Sequence, residues 1–255
     1  MISFQIGSKS YCIKQHETIE EIWLFGSYAR GEQDQYSDID LLIVIQDCGD
    51  EEYKRIKMQL SQELGMPLEW LSLYEIHKIR EMAAQGSYFM WHIRQEGRLL
   101  YAKGAFLRDI LAELPEYQNA MQDLEDYSII CNDIRCNLLG KYVDITYELS
   151  VLASIIRNTS MTVDFLEGKM SFGRVQAVEI CNAILKGRCN IPIKEYERLY
   201  TNRLYMTGKA DTYARMTIND VAEWLNKAEN LISCAKEIYN AKNNDNDMGR
   251  IDGNE

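Results

Sequence analysis

Two patterns of apolar and polar positions divide the chain. In the first half, short apolar runs alternate with segments in which apolar residues recur at helical spacing. The run 41–45 (LLIVI) is continuously apolar, which is typical of a central strand covered on both faces. Residues 22–25 and 98–101 predict further strands. Between residues 51 and 64 the apolar positions predict a helix, and Gly65 predicts its end.

The rest of this half predicts a mixed sheet flanked by helices, an α+β domain. Residues 68–73 (LEWLSL) predict another strand, and residues 75–95 predict helical segments. The stretch before Thr18 is compatible with either a hairpin around Gly7 or a helix, and the sequence does not choose between them.

Beyond Gly104 strand signals nearly vanish and amphipathic helices predict an all-α helical bundle. The predicted helices cover about 115–139, 141–166 and 172–186, one that begins at Pro192, and one that begins at Thr217. Thr217 and Asp220 resemble a capping box with Asp in place of Glu or Gln. The polar end of the chain predicts a disordered tail. The predicted domains are therefore 1–104, 105–242 and the tail 243–255.

Charge and cysteine usage narrow the setting. The net charge is −11, which disfavours an extended nucleic-acid interface. A negative surface favours a cationic small molecule or a basic protein patch as the partner. Alternatively, the charge serves only to keep the protein in solution. No apolar run approaches the roughly 20 residues that span a bilayer, and no signal peptide is evident. Seven scattered cysteines without a C-x-x-C pair argue against a disulfide framework and a zinc site. We expect a cytoplasmic protein.

The candidate chemistry lies between residues 24 and 45. Asp38 and Asp40 are two positions apart, directly before the buried strand 41–45, so their carboxylates are expected on one side of the chain. Two like charges held together are unfavourable unless a cation neutralises them. Magnesium, which prefers carboxylates together with phosphate oxygens, is the expected cation.

A second element of the pattern precedes the aspartates. Gly26 and Ser27 follow a strand and open a helix, which presents backbone N–H groups and a hydroxyl to an anion. Arg30 and Gly31 complete a loop that a phosphate chain can approach closely. Phosphate donors beside a paired-carboxylate metal site are typical of phosphoryl or nucleotidyl transfer.

These residues resemble the motif of the DNA polymerase beta nucleotidyltransferase superfamily: Gly-Ser, then Arg-Gly, then Ser-Asp-x-Asp before an apolar strand. The matching positions are Gly26, Ser27, Arg30, Gly31, Ser37, Asp38 and Asp40. The resemblance covers about the first hundred residues. It is closest to the minimal nucleotidyltransferases, which include antitoxin and aminoglycoside nucleotidyltransferases.

The resemblance implies a mechanism and a third carboxylate. Asp38 and Asp40 would hold one or two Mg²⁺ ions, and Gly26, Ser27, Ser37 and Arg30 would bind the phosphates of ATP or another NTP. Glu69 is the candidate third acid and metal ligand. On the predicted strand 68–73 it shares a face with leucines, where an unligated carboxylate is costly. An edge-strand Glu69 that points to water is the structural alternative.

The helical half resembles the HEPN domains that accompany minimal nucleotidyltransferases, and the substrate domains of aminoglycoside-modifying relatives. Arg157 and Asn158 match the start of a HEPN ribonuclease motif, but the histidines of the chain are His16, His77 and His92, all in the first half. We therefore expect no HEPN ribonuclease activity.

Two functions remain open at this stage. The first is transfer of a nucleoside monophosphate, expected to be AMP from ATP, to a hydroxyl of an acceptor, with release of pyrophosphate. A small polyhydroxylated or cationic acceptor would suit an acidic cleft between two domains, and a protein hydroxyl would suit an antitoxin-like role. The second is an antitoxin-like regulatory or binding module without small-molecule turnover. The expected partners are an NTP and the acceptor, without a membrane; a homodimer stays open.

Overall fold

The computed structural model describes residues 1–14, 17–140 and 143–251, the last seven of them without their side chains. The described chain divides into two compact units, Met1–Gln118 and Asn119–Glu255. The first unit contains a mixed sheet with helices, and the second is helical. The predicted fold class, an α+β domain followed by a helical bundle, is confirmed. No helix among the described residues is long and apolar enough to cross a membrane.

The first unit contains a two-stranded and a four-stranded sheet. The order of the larger sheet is β5-β4-β3-β6; β4 pairs parallel with β5, and β3 pairs antiparallel with β4 and β6. A hairpin around Gly7 forms the smaller sheet, which settles the alternative that the sequence left open. The strands are β1 (Ile2–Ile6), β2 (Lys9–Ile13), β3 (Ile19–Phe25), β4 (Asp40–Ile45), β5 (Leu71–Glu75) and β6 (Arg98–Ala102).

Helices cover both faces of the larger sheet, which explains the uninterrupted apolar run of β4. Leu41, Ile43 and Ile45 pack in one apolar cluster that includes residues of α2. Leu42 and Val44 pack in a second cluster with residues of α3, α4 and α5. The helices of this unit are α1 (Gly26–Arg30), α2 (Asp50–Leu64), α3 (Ile76–Ala84), α4 (Tyr88–Glu96) and α5 (Phe106–Ala112).

A buried glutamate ties α5 to the sheet. Glu21 of β3 is 1% exposed. Its Oε1 accepts a hydrogen bond from the backbone N–H of Leu107 at 2.9 Å, and its Oε2 accepts one from the indole of Trp23 at 2.7 Å. A carboxylate at the first turn of a helix also meets the positive end of the helix dipole. Because α5 is held in this way, the division after Gln118 falls later than the sequence boundary at residue 104.

The second unit is a bundle around α7, whose buried face packs against neighbouring helices. Asp144 caps α7, accepting a hydrogen bond from the backbone N–H of Tyr147 at 3.0 Å. The Thr217 and Asp220 side chains cap the last helix as the sequence predicts. The helices are α6 (Ala120–Leu138), α7 (Ile145–Leu166), α8 (Gln176–Leu185), α9 (Ile193–Met206) and α10 (Ile218–Ile251).

The helix limits in this unit differ from the expected ones in three places. α6 begins at Ala120, five residues after Pro115, and α8 begins at Gln176 rather than near residue 172. α10 continues to Ile251, so it covers most of the segment predicted as a disordered tail. Lys141 and Tyr142, where the second helix was predicted to begin, lie outside the described residues, as do residues 252–255.

Candidate active site

The candidate site begins where β3 passes into α1. Gly26 opens the helix with a φ of 69°, a left-handed conformation that glycine adopts without strain. A Cβ atom at this position would lie 2.3 Å from Oδ2 of Asp40. The turn therefore requires glycine for two reasons, its backbone conformation and the carboxylate that lies against it. Ser27 follows, half-buried, and its carbonyl accepts hydrogen bonds from Gly31 and Glu32.

The pairing of the strands brings the predicted aspartates to this turn. Phe25, the last residue of β3, pairs with Asp40, the first residue of β4. Burial alternates along the approach to β4: Asp38 and Asp40 are half-buried, whereas Ile39 between them is 6% exposed and lies in the core. The two aspartates are thus partly exposed on either side of a core residue, and their action as a pair stays a prediction.

The loop before the aspartates is fixed by its own hydrogen bonds. The hydroxyl of Ser37 donates to Oδ1 of Asp34 at 2.8 Å, and it accepts from the backbone N–H of Asp34 at 2.9 Å. The N–H of Tyr36 donates to the same Asp34 carboxylate. In this structure Ser37, predicted as a phosphate contact, shapes the turn that delivers Asp38.

Arg30 is held between two carboxylates. Its Nε donates to Glu32 at 2.7 Å, and its NH1 donates to Glu96 of α4 at 2.5 Å. Glu96 also lies 2.8 Å from Nε2 of His92. Burial acts to raise the pKa of Glu96, but hydrogen bonds and charge from His92 and Arg30 outweigh it, so the pKa lies below its ordinary value. The guanidinium that was expected to bind phosphate fastens α1 to α4.

Glu96 is not among the predicted site residues. It lies on α4, as does His92. His92 packs against Phe25, with ring centroids 5.3 Å apart. His92 and Glu96 are four residues apart, so on a helix their side chains lie on the same face. This spacing is the sequence feature that could have identified the pair.

The structural argument for Glu69 is wrong. Residues 68–70 form a 3-10 turn, β5 begins only at Leu71, and Glu69 is exposed rather than set on an apolar strand face. Because β4 and β5 are parallel and Leu41 pairs with Leu71, the turn nevertheless lies at the sheet edge where β4 begins. Glu69 therefore shares an edge with the aspartates, although these acids do not form a three-ligand group within 4.8 Å among the described residues.

A different acidic group lies at the opposite edge of the sheet, where β4 and β5 end. Ligand atoms of Asp47, Glu75 and His77 lie within 4.8 Å of one another. Oδ1 of Asp47 lies 2.8 Å from Nδ1 of His77 and also accepts its backbone N–H, while Glu75 accepts the N–H of Cys48 at 2.6 Å. These bonds satisfy the first turn of α3, so the cluster has a structural explanation as a helix cap.

The first unit resembles a known nucleotidyltransferase domain. Residues 9–105, fewer than half of the chain, match the family model described as polymerase beta, nucleotidyltransferase. The matched range includes the Gly-Ser and Asp-x-Asp residues. A comparison with curated proteins found no significant match.

One solved structure shows a likeness of fold that extends beyond this domain. The spectinomycin adenyltransferase from Enterococcus faecialis, solved with ATP and spectinomycin, is 13% identical, with a TM-score of 0.50; the match covers 85% of this chain and 92% of that one. A structure of a toxin-antitoxin with AMP-PNP is 16% identical, with a TM-score of 0.29, and covers 49% of this chain and 90% of that one. The first likeness shows that the two-unit fold is shared.

Proposed function

We propose that the protein transfers a nucleoside monophosphate, AMP from ATP, to a hydroxyl group of an acceptor and releases pyrophosphate. The observation that carries the proposal is the close approach of Asp40 to the Gly26 turn. Asp40 thus lies against the turn that begins α1, and Asp38 precedes it by two residues. The resemblance of the fold to an adenyltransferase solved with ATP supports the choice of nucleotide.

The residues present fit a divalent cation. Asp38 and Asp40 offer hard oxygen ligands of the kind that Mg²⁺ prefers. Gly26 leaves open the space beside Oδ2 of Asp40 that a side chain would fill. The two aspartates would hold one or two Mg²⁺ ions, with Glu69 as the proposed third ligand. When bound, the metal stabilises negative charge on the attacking and leaving oxygens.

The remaining residues divide between binding and positioning. The backbone of Gly26 and the hydroxyl of Ser27 are suited to the phosphates, since they lie at the start of a helix. Arg30 holds α1 through Glu96, and Ser37 holds the loop through Asp34. Ser37 would donate to the nucleotide only by giving up its bond to Asp34, whereas Arg30 keeps N–H donors beyond the two that bind Glu32 and Glu96. We therefore assign them first to the geometry of the site.

Glu69 is our candidate for the group that orients or deprotonates the acceptor hydroxyl. Its side chain is exposed and accessible to a ligand, and the turn that carries it lies at the end of the sheet where β4 begins at Asp40. A general base needs this kind of access to its substrate. We propose only the chemical class of the acceptor, which is a hydroxyl group on a small molecule or a protein.

We further propose a cytoplasmic location. All seven cysteines of the chain are free thiols. Burial raises the pKa of the Cys131 and Cys189 thiols to about 11, so they stay protonated and unreactive at neutral pH. Free thiols in the core are typical of a reducing compartment.

Stabilisation by Mg²⁺ and ATP tests the site. A ligand that binds only the native state raises the melting temperature, and 100-fold excess over Kd corresponds to about 2.7 kcal/mol. We expect Mg²⁺ with ATP to raise the melting temperature of the wild type and the double variant Asp38→Ala/Asp40→Ala to lose most of that shift. A variant at the other acidic cluster, Asp47→Ala, should keep it. If no NTP shifts the wild type, or the double variant responds like it, the proposed site is wrong.

A further inference from the structure

The helical unit contains a pocket of its own, lined by none of the residues of the candidate active site. It lies between α6, α7 and α9 and has a volume of about 440 Å³. Pockets of about 300 to 1,000 Å³ are the usual size for small-molecule sites. Its rim carries large apolar side chains that are exposed to solvent, namely Ile130, Tyr147 and Met206.

The polar groups of the pocket are uncharged hydrogen-bonding side chains, with one exception. Hydroxyl and amide groups converge on the space between apolar walls formed by Val151 and Ile155. Hydroxyls and amides beside aromatic and aliphatic surfaces suit a ring that carries several hydroxyl groups. The uncharged polar residues are Tyr127, Tyr147, Ser150, Ser154, Asn158 and Thr207.

The exception is Arg203 of α9. Its NH1 donates to Oγ of Ser154 at 2.5 Å, and this hydroxyl donates in turn to the carbonyl of Ser150 at 2.9 Å. The chain of bonds holds the guanidinium at the pocket and occupies one of its five N–H donors. Among the described residues, no carboxylate forms an ion pair with Arg203, and none lines the pocket.

The charged residue that lines the pocket is opposite in sign to the net charge of the chain. The chain carries 39 acidic and 28 basic residues, and the charged lining residue is Arg203. Burial and the carboxylates of Asp123 and Asp126, which do not line the pocket, raise the pKa of the Tyr127 hydroxyl, and Arg157 lowers it by less. An arginine without a carboxylate partner in a concave site is suited to a phosphate or carboxylate, which can accept two N–H bonds in parallel.

We propose that this pocket binds a small hydroxylated ring bearing one anionic group, of the class of a monosaccharide phosphate, with the anion on Arg203. The proposal goes beyond the transfer reaction and does not depend on it. It also distinguishes the ligand of the pocket from the cationic molecule that the net charge suggests as a partner. A polycation would meet the positive charge of Arg203, and the described residues that line the pocket include no carboxylate.

Three sugars that share a ring and differ in charge test the proposal with the full-length chain. We expect glucose 6-phosphate to bind, as measured by ligand-detected NMR and calorimetry, glucose to bind at least tenfold more weakly, and glucosamine not to bind measurably. Arg203→Met keeps the aliphatic stem and should weaken glucose 6-phosphate at least tenfold. Arg203→Lys keeps the positive charge but not the planar set of parallel N–H donors. Its affinity for glucose 6-phosphate should lie between those of the wild type and Arg203→Met.

The matched control is Arg198→Met on the same helix. Arg198 donates to the carbonyl of Arg215 and lies outside the pocket, so this variant should bind like the wild type. Circular dichroism of each variant establishes that it is folded, and Arg203→Lys supplies the comparison should Arg203→Met unfold. Three outcomes overturn the proposal: no binding of glucose 6-phosphate, equal or tighter binding of glucosamine, or unchanged affinity when Arg203 is replaced.

Discussion

The contact between Gly26 and Asp40 is the most restrictive single-residue feature of the candidate site. Any side chain at position 26 would need the space that Oδ2 of Asp40 occupies, and it would also need a left-handed backbone. Ile39 is buried between the two partly exposed aspartates. Gly26 thus allows the close approach of the Asp40 carboxylate to the turn.

The role of Glu69 can be measured with one substitution. Glu69→Gln keeps the size of the side chain and removes its charge and basicity. If Glu69 orients or deprotonates the acceptor, turnover should fall by about 10²–10⁴-fold, the usual contribution of a positioned acid or base. Nucleotide binding should survive because Gly26, Ser27 and the aspartates remain. Steady-state kinetics and a nucleotide titration measure the two effects.

Glu51→Gln is the control for Glu69→Gln, since Glu51 is equally exposed but lies on α2. It should leave turnover unchanged. Wild-type turnover in Glu69→Gln would remove this residue from the mechanism. A loss of stability would also count against the account, because substitutions at exposed positions are usually within 0.5 kcal/mol.

A second acid, in the helical unit, predicts a pH effect on stability. Asp164 is buried, and neither carboxylate oxygen has a hydrogen-bond partner among the described residues. Burial raises its pKa to about 8, against a smaller opposing effect of Lys169. Between about pH 4 and pH 8 the folded state thus holds a proton that the unfolded state releases. Stability from this group therefore falls as the pH rises through that range.

Asp164→Asn removes the titration and keeps the shape. We expect the variant and the wild type to have similar free energies of unfolding at pH 4.5, and the variant to be more stable at pH 8.5 by on the order of a few kcal/mol. Urea denaturation at both pH values measures the difference. If the free energies of unfolding of the variant and the wild type differ by the same amount at both pH values, Asp164 does not titrate between them.

At the level of elements, the capping of α5 by Glu21 decides where the first unit ends. Glu21→Gln replaces one acceptor oxygen with a donor, which would face the N–H of either Leu107 or Trp23. A buried donor left without an acceptor costs about 1–3 kcal/mol. We expect a loss of that size in chemical denaturation. Glu113→Gln, at the exposed end of the same helix, should have little effect. Equal stability of Glu21→Gln and wild type would contradict the capping role.

Elements with strong periodicity could be predicted from sequence, and short irregular ones could not. The run 41–45 and the helix 50–64 have patterns set by their own burial, and both lie where the pattern puts them. The sequence predicts a strand over residues 68–70 because four of the six residues in LEWLSL are apolar, and only pairing with β4 determines where the strand starts. The site motif was predictable residue by residue, whereas the partners of Arg30 depend on α4 packing against α1.

At the scale of the whole molecule, the spacing of apolar residues changes once along the chain, from mixed strand and helix patterns to helical patterns alone. This change predicts two units with different architectures. The boundary was placed early because α5 looks like the other amphipathic helices, and only the buried contact with Glu21 assigns it to the first unit. In the helical unit, Arg157 donates to the carbonyl of Phe172, a structural contact within the bundle. The expected absence of HEPN ribonuclease activity stays a prediction.

The central claim is nucleotidyl transfer at the Asp38/Asp40 pair, and a transfer assay tests it most directly. The protein is incubated with Mg²⁺ and each α-labelled NTP, with the small-molecule and protein fractions of a cell lysate as acceptors. Asp40→Asn, which keeps the shape beside Gly26, is assayed in parallel. We expect the wild type to release pyrophosphate from ATP in step with label transfer to an acceptor, and Asp40→Asn to lose both. Failure of the wild type with every NTP, or equal transfer by Asp40→Asn, would contradict the claim.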